Sequence, residues 1–408
     1  MQPVHRQSAS LVTALLTFVL VANLVPLMTV PTVLPELQSQ WRLTAGQTGW
    51  IGSIYFAGYA IAAPILTSLS DRIDGRWVLA GSSLAGAAAS IAFGVCADGF
   101  WLALALRFVS GVAMAGIHMP GLKMLADRTL GPAQLRSAGI YTSSYALGNA
   151  GSSLIAGVVE SLFDWRAPFV AAGIITLLAL PALALVRPAP RHGATEETPA
   201  PPVILRRNRA LLAYVVGFAG NTWEVFAIRV WFVACLAWTL RLPGNDIVLP
   251  NLGVVSGLAA LAGVPVSIAV AELAVRYRAS TVIVLTCLVS VLVCLGLAAT
   301  AGGNIFVVLA LLVLLQVTSF ADVGALGAGA VAATRPTERG SAFGIYATVG
   351  FASGFAGPAV VGLELERLGG TESPPAWGGA FLAMGPGSAG TAGVIWFARS
   401  HQRPSAGR

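Results

Sequence analysis

The chain alternates between long apolar stretches and short polar ones. A run of about 20 mostly apolar residues is long enough to cross the hydrocarbon core of a bilayer as a helix. Twelve such runs occur, at residues 11–35, 48–70, 77–96, 100–125, 137–160, 167–187, 210–239, 248–271, 279–300, 304–333, 340–363 and 377–398. The Gly and Pro inside them are tolerated, because neighbouring helices satisfy the backbone groups they free. The pattern is least regular in the eighth run, with Pro250 and Pro265, and in the twelfth, with Pro386. The first run is too long for a signal h-region and has no small-residue cleavage site leading into a polar domain, so it reads as a span. The longest polar stretch, 188–209, is rich in Pro and charge and lacks the periodicity of a core. It divides the chain into a six-helix half at 1–187, a cytoplasmic linker at 188–209 and a second half at 210–408.

Composition agrees. Of the 408 residues, 56% are hydrophobic and 10% charged, where a soluble domain carries about 25% charged residues. A chain so apolar needs lipid over most of its surface. The net charge of +7 does not mark a nucleic-acid binder, because the cations cluster between spans rather than along one face. With the N-terminus in the cytoplasm, 18 Lys and Arg fall in cytoplasmic segments, 4 in external loops and 2, Arg107 and Arg229, inside spans. That asymmetry predicts a multi-pass inner-membrane protein with both termini cytoplasmic. Cys96, Cys235, Cys287 and Cys294 lie in or beside apolar segments without metal-ligand spacing, and read as small hydrophobes. No metal or cofactor is expected.

The two halves carry traces of a repeat. Gly139-Ile140-Tyr141 recurs as Gly344-Ile345-Tyr346, an offset of 205 that Gly157 and Gly362 keep. Trp165-Arg166-Ala167-Pro168-Phe169 and, more loosely, Trp377-Gly378-Gly379-Ala380-Phe381 open the last span of each half. Repeated halves are how many secondary transporters alternate access, one rocking against the other around a midplane site.

The span count, the six-plus-six layout and the central loop resemble the major facilitator superfamily over the whole chain. The loop Leu69-Ser70-Asp71-Arg72-Ile73-Asp74-Gly75-Arg76 is similar to the family's G-x-L-x-D-R-x-G-R loop, with Thr67 at the first Gly and one residue inserted before Gly75. Residues 272–278 form a degenerate second copy, and Arg107-Phe108-Val109-Ser110-Gly111 is similar to the family's R-x-x-x-G pattern. The antiporter Gly-Pro pair is missing from span 5 and a Gly357-Pro358 pair lies in span 11. The resemblance implies an all-α membrane protein, twelve transmembrane helices in two pseudo-symmetric six-helix bundles. It also implies that spans 1, 4, 7 and 10 line a central cavity, and that Asp71, Arg72, Arg76 and Asp127 form a gating network at the cytoplasmic helix ends.

Ionisable residues at bilayer depth are costly, so each is read as functional or paired. They are Arg107 and His118 in span 4, Glu224 and Arg229 in span 7, and Asp322 in span 10. Helical spacing puts Arg107, Gly111, Met114 and His118 on one face, and Gly217, Asn221, Glu224 and Ile228 on another. Gln316, Ser319 and Asp322 form a third polar stripe, and Asn23 and Thr29 a weaker one in span 1. Arg107 and Arg229 offer planar forks to a carboxylate or oxyanion; Glu224 and Asp322 are the candidate proton carriers; His118 suits either role. Arg107 against Glu224 or Asp322 as structural salt bridges is the competing reading. The substrate-binding set is then Arg107, His118, Asn221, Glu224, Arg229, Gln316 and Asp322.

These residues predict a monomeric, proton-coupled secondary transporter for a small organic anion or oxyanion. A proton-driven exporter of amphipathic compounds and a non-transporting membrane sensor or assembly protein are the alternatives. No catalytic triad, metal-ligand cluster or phosphate loop is present, since the Gly-rich run at 324–329 sits within a span. An enzyme is not expected.

Overall fold

A computed structural model of the chain describes residues 7–129, 131–188, 208–335 and 339–401. The linker expected at 188–209 lies almost wholly outside these. Among the described residues every regular element is a helix. Twelve spans follow one another. Span 1 is Ala9–Leu24 with Thr29–Trp41, span 2 Ala45–Arg72, span 3 Gly75–Cys96, and span 4 Phe100–Ala126. Span 5 is Pro132–Leu162, and span 6 is Ala167–Leu177 with Ala179–Ala184. The second half holds span 7 at Arg209–Leu240, span 8 at Leu252–Arg276 and span 9 at Ala279–Thr300. Span 10 is Ile305–Ala321 with Val323–Ala332, span 11 Arg339–Arg367, and span 12 Pro374–Met384 with Pro386–His401. Eleven of the twelve are long and apolar enough to cross a membrane. Span 5 has the length but is diluted by Ser, Thr, Tyr and Asn.

Short polar residues start many of these helices. Thr44 and Gln47 form a capping box, and Asp74, Asn208, Asn251 and Asn304 accept from the first free N–H groups of their helices. Proline explains the break in span 1. Pro26 has no N–H, so the Ala22 carbonyl loses its helical partner, and Thr176 of span 6 donates to it at 3.0 Å.

The packing repeats between halves. In the first half span 1 packs on spans 5 and 6, span 2 on 4, and span 3 on 4 and 6. Adding six to each number gives the pairs of the second half: span 7 on 11 and 12, span 8 on 10, and span 9 on 10 and 12. The crossings between halves, span 2 on 11 and span 5 on 8, exchange under the same operation. This is a pseudo-twofold relation read from the contacts themselves.

The crossings are closed at one membrane face only. We call the face where Gln7 meets Arg187 the terminus face, and the other the far face. Toward the far face one apolar core joins both halves, from Val30, Ile51 and Trp165 to Trp231, Trp377 and Val361. A second core around Leu16 and Tyr59 also crosses between the halves at mid-membrane, through Val225, Phe226, Ala347 and Phe351, while toward the terminus face the second half keeps its own clusters around Ile283 and Leu211. Glycines set the closeness of the far-face seam. A Cβ on Gly362 would stand 3.0 Å from Gly49 Cα and 2.7 Å from the Ala45 carbonyl oxygen, and one on Gly157 2.6 Å from the Val254 nitrogen.

Candidate functional site

The intramembrane ionisable residues occupy three separate places rather than one chamber. The first is the break in span 1. Ser152 of span 5 bridges it, donating to the Val25 carbonyl at 2.6 Å and accepting from the Met28 N–H at 2.9 Å. Arg107 of span 4, 2% exposed, donates through its two terminal nitrogens to the carbonyls of Pro26 (3.0 Å) and Leu27 (3.1 Å). Its guanidinium lies over the Tyr55 ring, 4.9 Å from the centroid. The fork offered by the sequence to a substrate is thus filled by backbone, and neither Glu224 nor Asp322 pairs with it among the described residues.

The second place lies inside the second half, between spans 7, 9, 10 and 12. Glu224 is fully buried. It accepts from Ser290 at 2.6 Å, from the Cys294 thiol at 3.5 Å and, very closely, from Ser388. Asp322 ends the first segment of span 10 and accepts from Asn221 Nδ2 at 2.7 Å and from the Cys287 thiol at 3.4 Å. Asn221 also donates to the Ser319 carbonyl at 2.7 Å. Every donor here is neutral. Two of the four cysteines therefore serve as weak donors rather than merely filling space. Cys287, Ser290 and Cys294, spaced 3 and 4 apart, are one stripe of span 9; that spacing was the available signal. Gln316 turns away, donating to the Ser256 carbonyl of span 8 at 2.8 Å.

The third place lies between the halves. Arg229 is 6% exposed, yet no hydrogen bond or ion pair holds it among the described residues. Its guanidinium sits 5.2 Å from the Phe320 ring centroid and within electrostatic reach of the Tyr145 hydroxyl of span 5. Tyr145 in turn stands 4.7 Å, ring to ring, from His118. His118 Nδ1 shares a 3.0 Å hydrogen bond with the Tyr59 hydroxyl. Tyr145, His118 and Phe320 are half-buried. So a cation of the second half lies within electrostatic reach of Tyr145 of the first, with His118 and Tyr59 beyond it. Glu224 and Arg229, five residues apart, are about 140° apart around the helix, which is why they enter different seams. Trp223 and Trp231 give their indole N–H to the Ala383 and Pro358 carbonyls, both at 3.0 Å, and serve packing.

Two of the four gating candidates, Asp71 and Arg76, take part in ion pairs within the first half. Asp71 pairs with Lys123. Arg76 donates to Asp74 at 2.8 Å and to the Val186 carbonyl at 3.1 Å. Arg128 lies 4.0 Å from Asp74 and donates to the Arg187 carbonyl at 3.2 Å. Burial works against the charge on Asp74, but the hydrogen bonds from Arg76 and the charges of Arg76 and Arg128 outweigh it and hold its pKa below the ordinary value. Arg72 and Asp127 are exposed and make no ion pair among the described residues. Asp74, Lys123 and Arg128 complete the network, ahead of two of the four residues singled out from sequence.

The far face carries polar contacts across the halves that sequence reading did not foresee. Glu366 at the end of span 11 accepts from the Thr44 hydroxyl and the Gly46 N–H, both at 2.8 Å, at the start of span 2. Glu160 at the end of span 5 accepts from Asn251, the cap of span 8, at 2.8 Å. Each glutamate thus meets the N-terminus of the helix it crosses, where negative charge is favoured. Their offset of 206 nearly matches that of Gly157 and Gly362.

Comparison with known proteins fits this architecture. Protein spinster homolog 1 of Bos taurus is 24% identical over 245 residues, 56% of this chain and 46% of that protein. The uncharacterized MFS-type transporter YceJ of Bacillus subtilis (strain 168) is 29% identical over 232 residues, 54% of this chain and 58% of that one. The chain spans about half the length of the curated relatives it matches. A bacterial homolog of the human lysosomal transporter Spinster, solved in an inward-facing and occupied conformation, has the same fold. It superposes with a TM-score of 0.79 at 14% identity, covering 96% of this chain and 97% of that one. The family model described as Major Facilitator Superfamily matches residues 12–358. With that match and two six-helix bundles related by a pseudo-twofold, the chain belongs to the Major Facilitator Superfamily, whose members are transporters and not enzymes.

Proposed function

We propose that the protein is a secondary active transporter that moves a small organic anion or oxyanion by alternating access, coupled to protons. The observation that carries this reading is Arg229. A buried cation with no counter-charge is unstable unless an anion joins it, and this one stands between the two halves, where rocking exposes a site to each side in turn. The proposal gives the anion to Arg229, with His118 beyond Tyr145, because the fork of Arg107 already holds backbone. The halves 1–187 and 210–408 rock about the linker at 188–209. With both termini in the cytoplasm of a bacterial cell, the far face is external, and a protein sealed there and separated toward the termini is inward-facing.

Protons enter through Glu224 and Asp322. A carboxylate shut among neutral donors avoids the cost of its charge by taking up a proton. Uptake of that proton would turn an accepting carboxylate oxygen into a donor and oblige Ser290, Ser388 or Asn221 to rearrange, shifting spans 9, 10 and 12 against span 7. The test is uptake into proteoliposomes of radiolabelled carboxylates, phosphate and sulfate, with and without an imposed pH gradient. The wild type should accumulate an anion only with the gradient. Glu224→Gln or Asp322→Asn should retain downhill flux and lose the gradient-driven part. Wild-type coupling in both variants refutes the proton assignment.

The glutamates at the far face act as latches in this scheme. Glu160→Gln with Glu366→Gln removes two charges from helix N-termini, each contributing about 0.3–1 kcal/mol. The double variant should therefore open the far face several-fold more often. The rate at which a maleimide labels Thr371→Cys measures this, since Thr371 lies in the far-face seam beside Gln38. An unchanged rate removes the latch role.

A further inference from the structure

We infer that the ligand of Arg229 is an aromatic monocarboxylate, its carboxylate on the guanidinium and its ring between Tyr145 and Phe320. The inference rests on the carrier reading above and narrows it to a chemical class.

Charge comes first. Arg229 is the lone unpaired cation that the structure places in the seam between halves, among the described residues. Arg107 is spent on the Pro26 and Leu27 carbonyls. One guanidinium balances one negative charge, and a phosphate or sulfate dianion would bring a second that nothing nearby offsets. The planar fork matches the two oxygens of a carboxylate.

The walls decide the rest. From span 10, Phe320 lies 5.2 Å from the guanidinium; from span 5, Tyr145 is within its electrostatic reach; next to Tyr145 stands His118 of span 4, bonded to Tyr59 of span 2. None of them carries a carboxylate, so the anion meets no repulsion. All four are rings, and Tyr145, Phe320 and His118 keep part of their surface open. Flat faces of this kind give offset or edge contacts to another ring, a gain that an aliphatic chain does not collect. A short aliphatic acid would satisfy the charge and leave the rings unused; an uncharged ring would fill the walls and leave Arg229 bare.

Calorimetric titration of the purified protein in detergent tests this with benzoate, cyclohexanecarboxylate, acetate, benzyl alcohol and phosphate. Benzoate should bind roughly tenfold or more tightly than acetate or benzyl alcohol, and more tightly than cyclohexanecarboxylate. Arg229→Gln should lose binding by roughly tenfold or more, with Arg229→Lys intermediate. Tyr145→Leu and Phe320→Leu should each weaken benzoate about 2–10-fold and leave acetate unchanged. Melting curves without ligand confirm that each variant is folded, and Arg229→Lys keeps the charge should Arg229→Gln fail to fold. Equal binding of cyclohexanecarboxylate and benzoate overturns the aromatic assignment. Undiminished binding in Arg229→Gln, or phosphate binding as tightly as benzoate, overturns the site. Uptake of radiolabelled benzoate separates the two levels. Binding without uptake refutes the carrier and keeps the site; uptake of another anion untouched by Arg229→Gln refutes the site and keeps the carrier.

Discussion

Gly362→Leu is expected to hold the far face open. A Cβ at this position already stands 2.7 Å from the Ala45 carbonyl oxygen and 3.0 Å from both Gly49 Cα and the Trp231 ring. Two of those three neighbours are backbone of the opposing half and cannot swing aside. The indole is fully buried and tied to the Pro358 carbonyl at 3.0 Å, so it cannot retreat either. The two backbone clashes exist only when spans 2 and 11 meet, so the halves relieve them by separating; the Trp231 contact lies within the second half and must be absorbed there. Overpacking costs about 1–3 kcal/mol and sometimes more, which moves a two-state equilibrium by roughly tenfold to a hundredfold. Gly157→Leu strikes the symmetry-related crossing, where the Val254 nitrogen is 2.6 Å and the Gly253 carbonyl carbon 2.9 Å from the added Cβ. Both variants should therefore raise maleimide labelling of Thr371→Cys by about tenfold or more while the protein stays helical and monodisperse. Gly81→Ala is the control, because nothing lies within 4 Å of its added Cβ. Unchanged labelling in both leucine variants would show that the far-face seam does not open at these crossings.

These glycines also mark how far the sequence could be read. The offset between Gly157 and Gly362 is visible in the letters, but its reason is not: each is the crossing point of a span with the opposite half. Their partners Gly49 and Gly253 carry almost the same offset, 204, without flanking letters to expose it. The spans themselves were legible because bilayer thickness fixes a run length, and all twelve appear within a few residues of their expected places, save the far-face end of span 1, which continues to Trp41. The break within span 1 was signalled by Pro26, yet its consequence, three residues from spans 4, 5 and 6 converging on it, was not.

The ionisable census grouped residues by helix face without showing where the faces point. In a soluble helix the apolar stripe faces the core and the polar face faces water. In these spans lipid and core are both apolar, so periodicity can group residues on a face without saying what the face meets. Glu224 and Asn221 were rightly grouped, and the structure turns them into their own half, toward Ser388 and Asp322. Arg229 was named as a substrate fork without a place on any of the polar stripes, and its guanidinium lies near Phe320 and within reach of Tyr145. The gate residues show the same limit. The motif located the loop, whereas Lys123 and Arg128 were assigned as partners only by the way span 4 ends beside it.

The two membrane arginines should separate cleanly by experiment. Arg107→Gln is expected to lower the stability of the ligand-free protein substantially, and Arg229→Gln to keep or raise it. Arg107 serves two carbonyls that the break in span 1 has stripped of helical partners. Removing its hydrogen bonds costs about 1.5–3 kcal/mol each, and the ring contact with Tyr55 adds about 0.5–2 kcal/mol. Part of this is returned, because an arginine without a carboxylate partner is itself expensive to bury. The net loss should be about 2–4 kcal/mol, a fall of several degrees in the melting temperature. Arg107→Lys should recover less than half of it, since one ammonium cannot reproduce a fork spread over two carbonyls. Arg229 has no such bonds to lose and its unpaired charge is itself costly to bury, so its removal spares the fold and takes the ligand. Melting curves without ligand, set beside benzoate affinities, give the pattern: stability lost and affinity kept in Arg107→Gln, the reverse in Arg229→Gln. If Arg107→Gln instead melts like the wild type and fails to bind benzoate, Arg107 holds the substrate and the roles of the two arginines are exchanged.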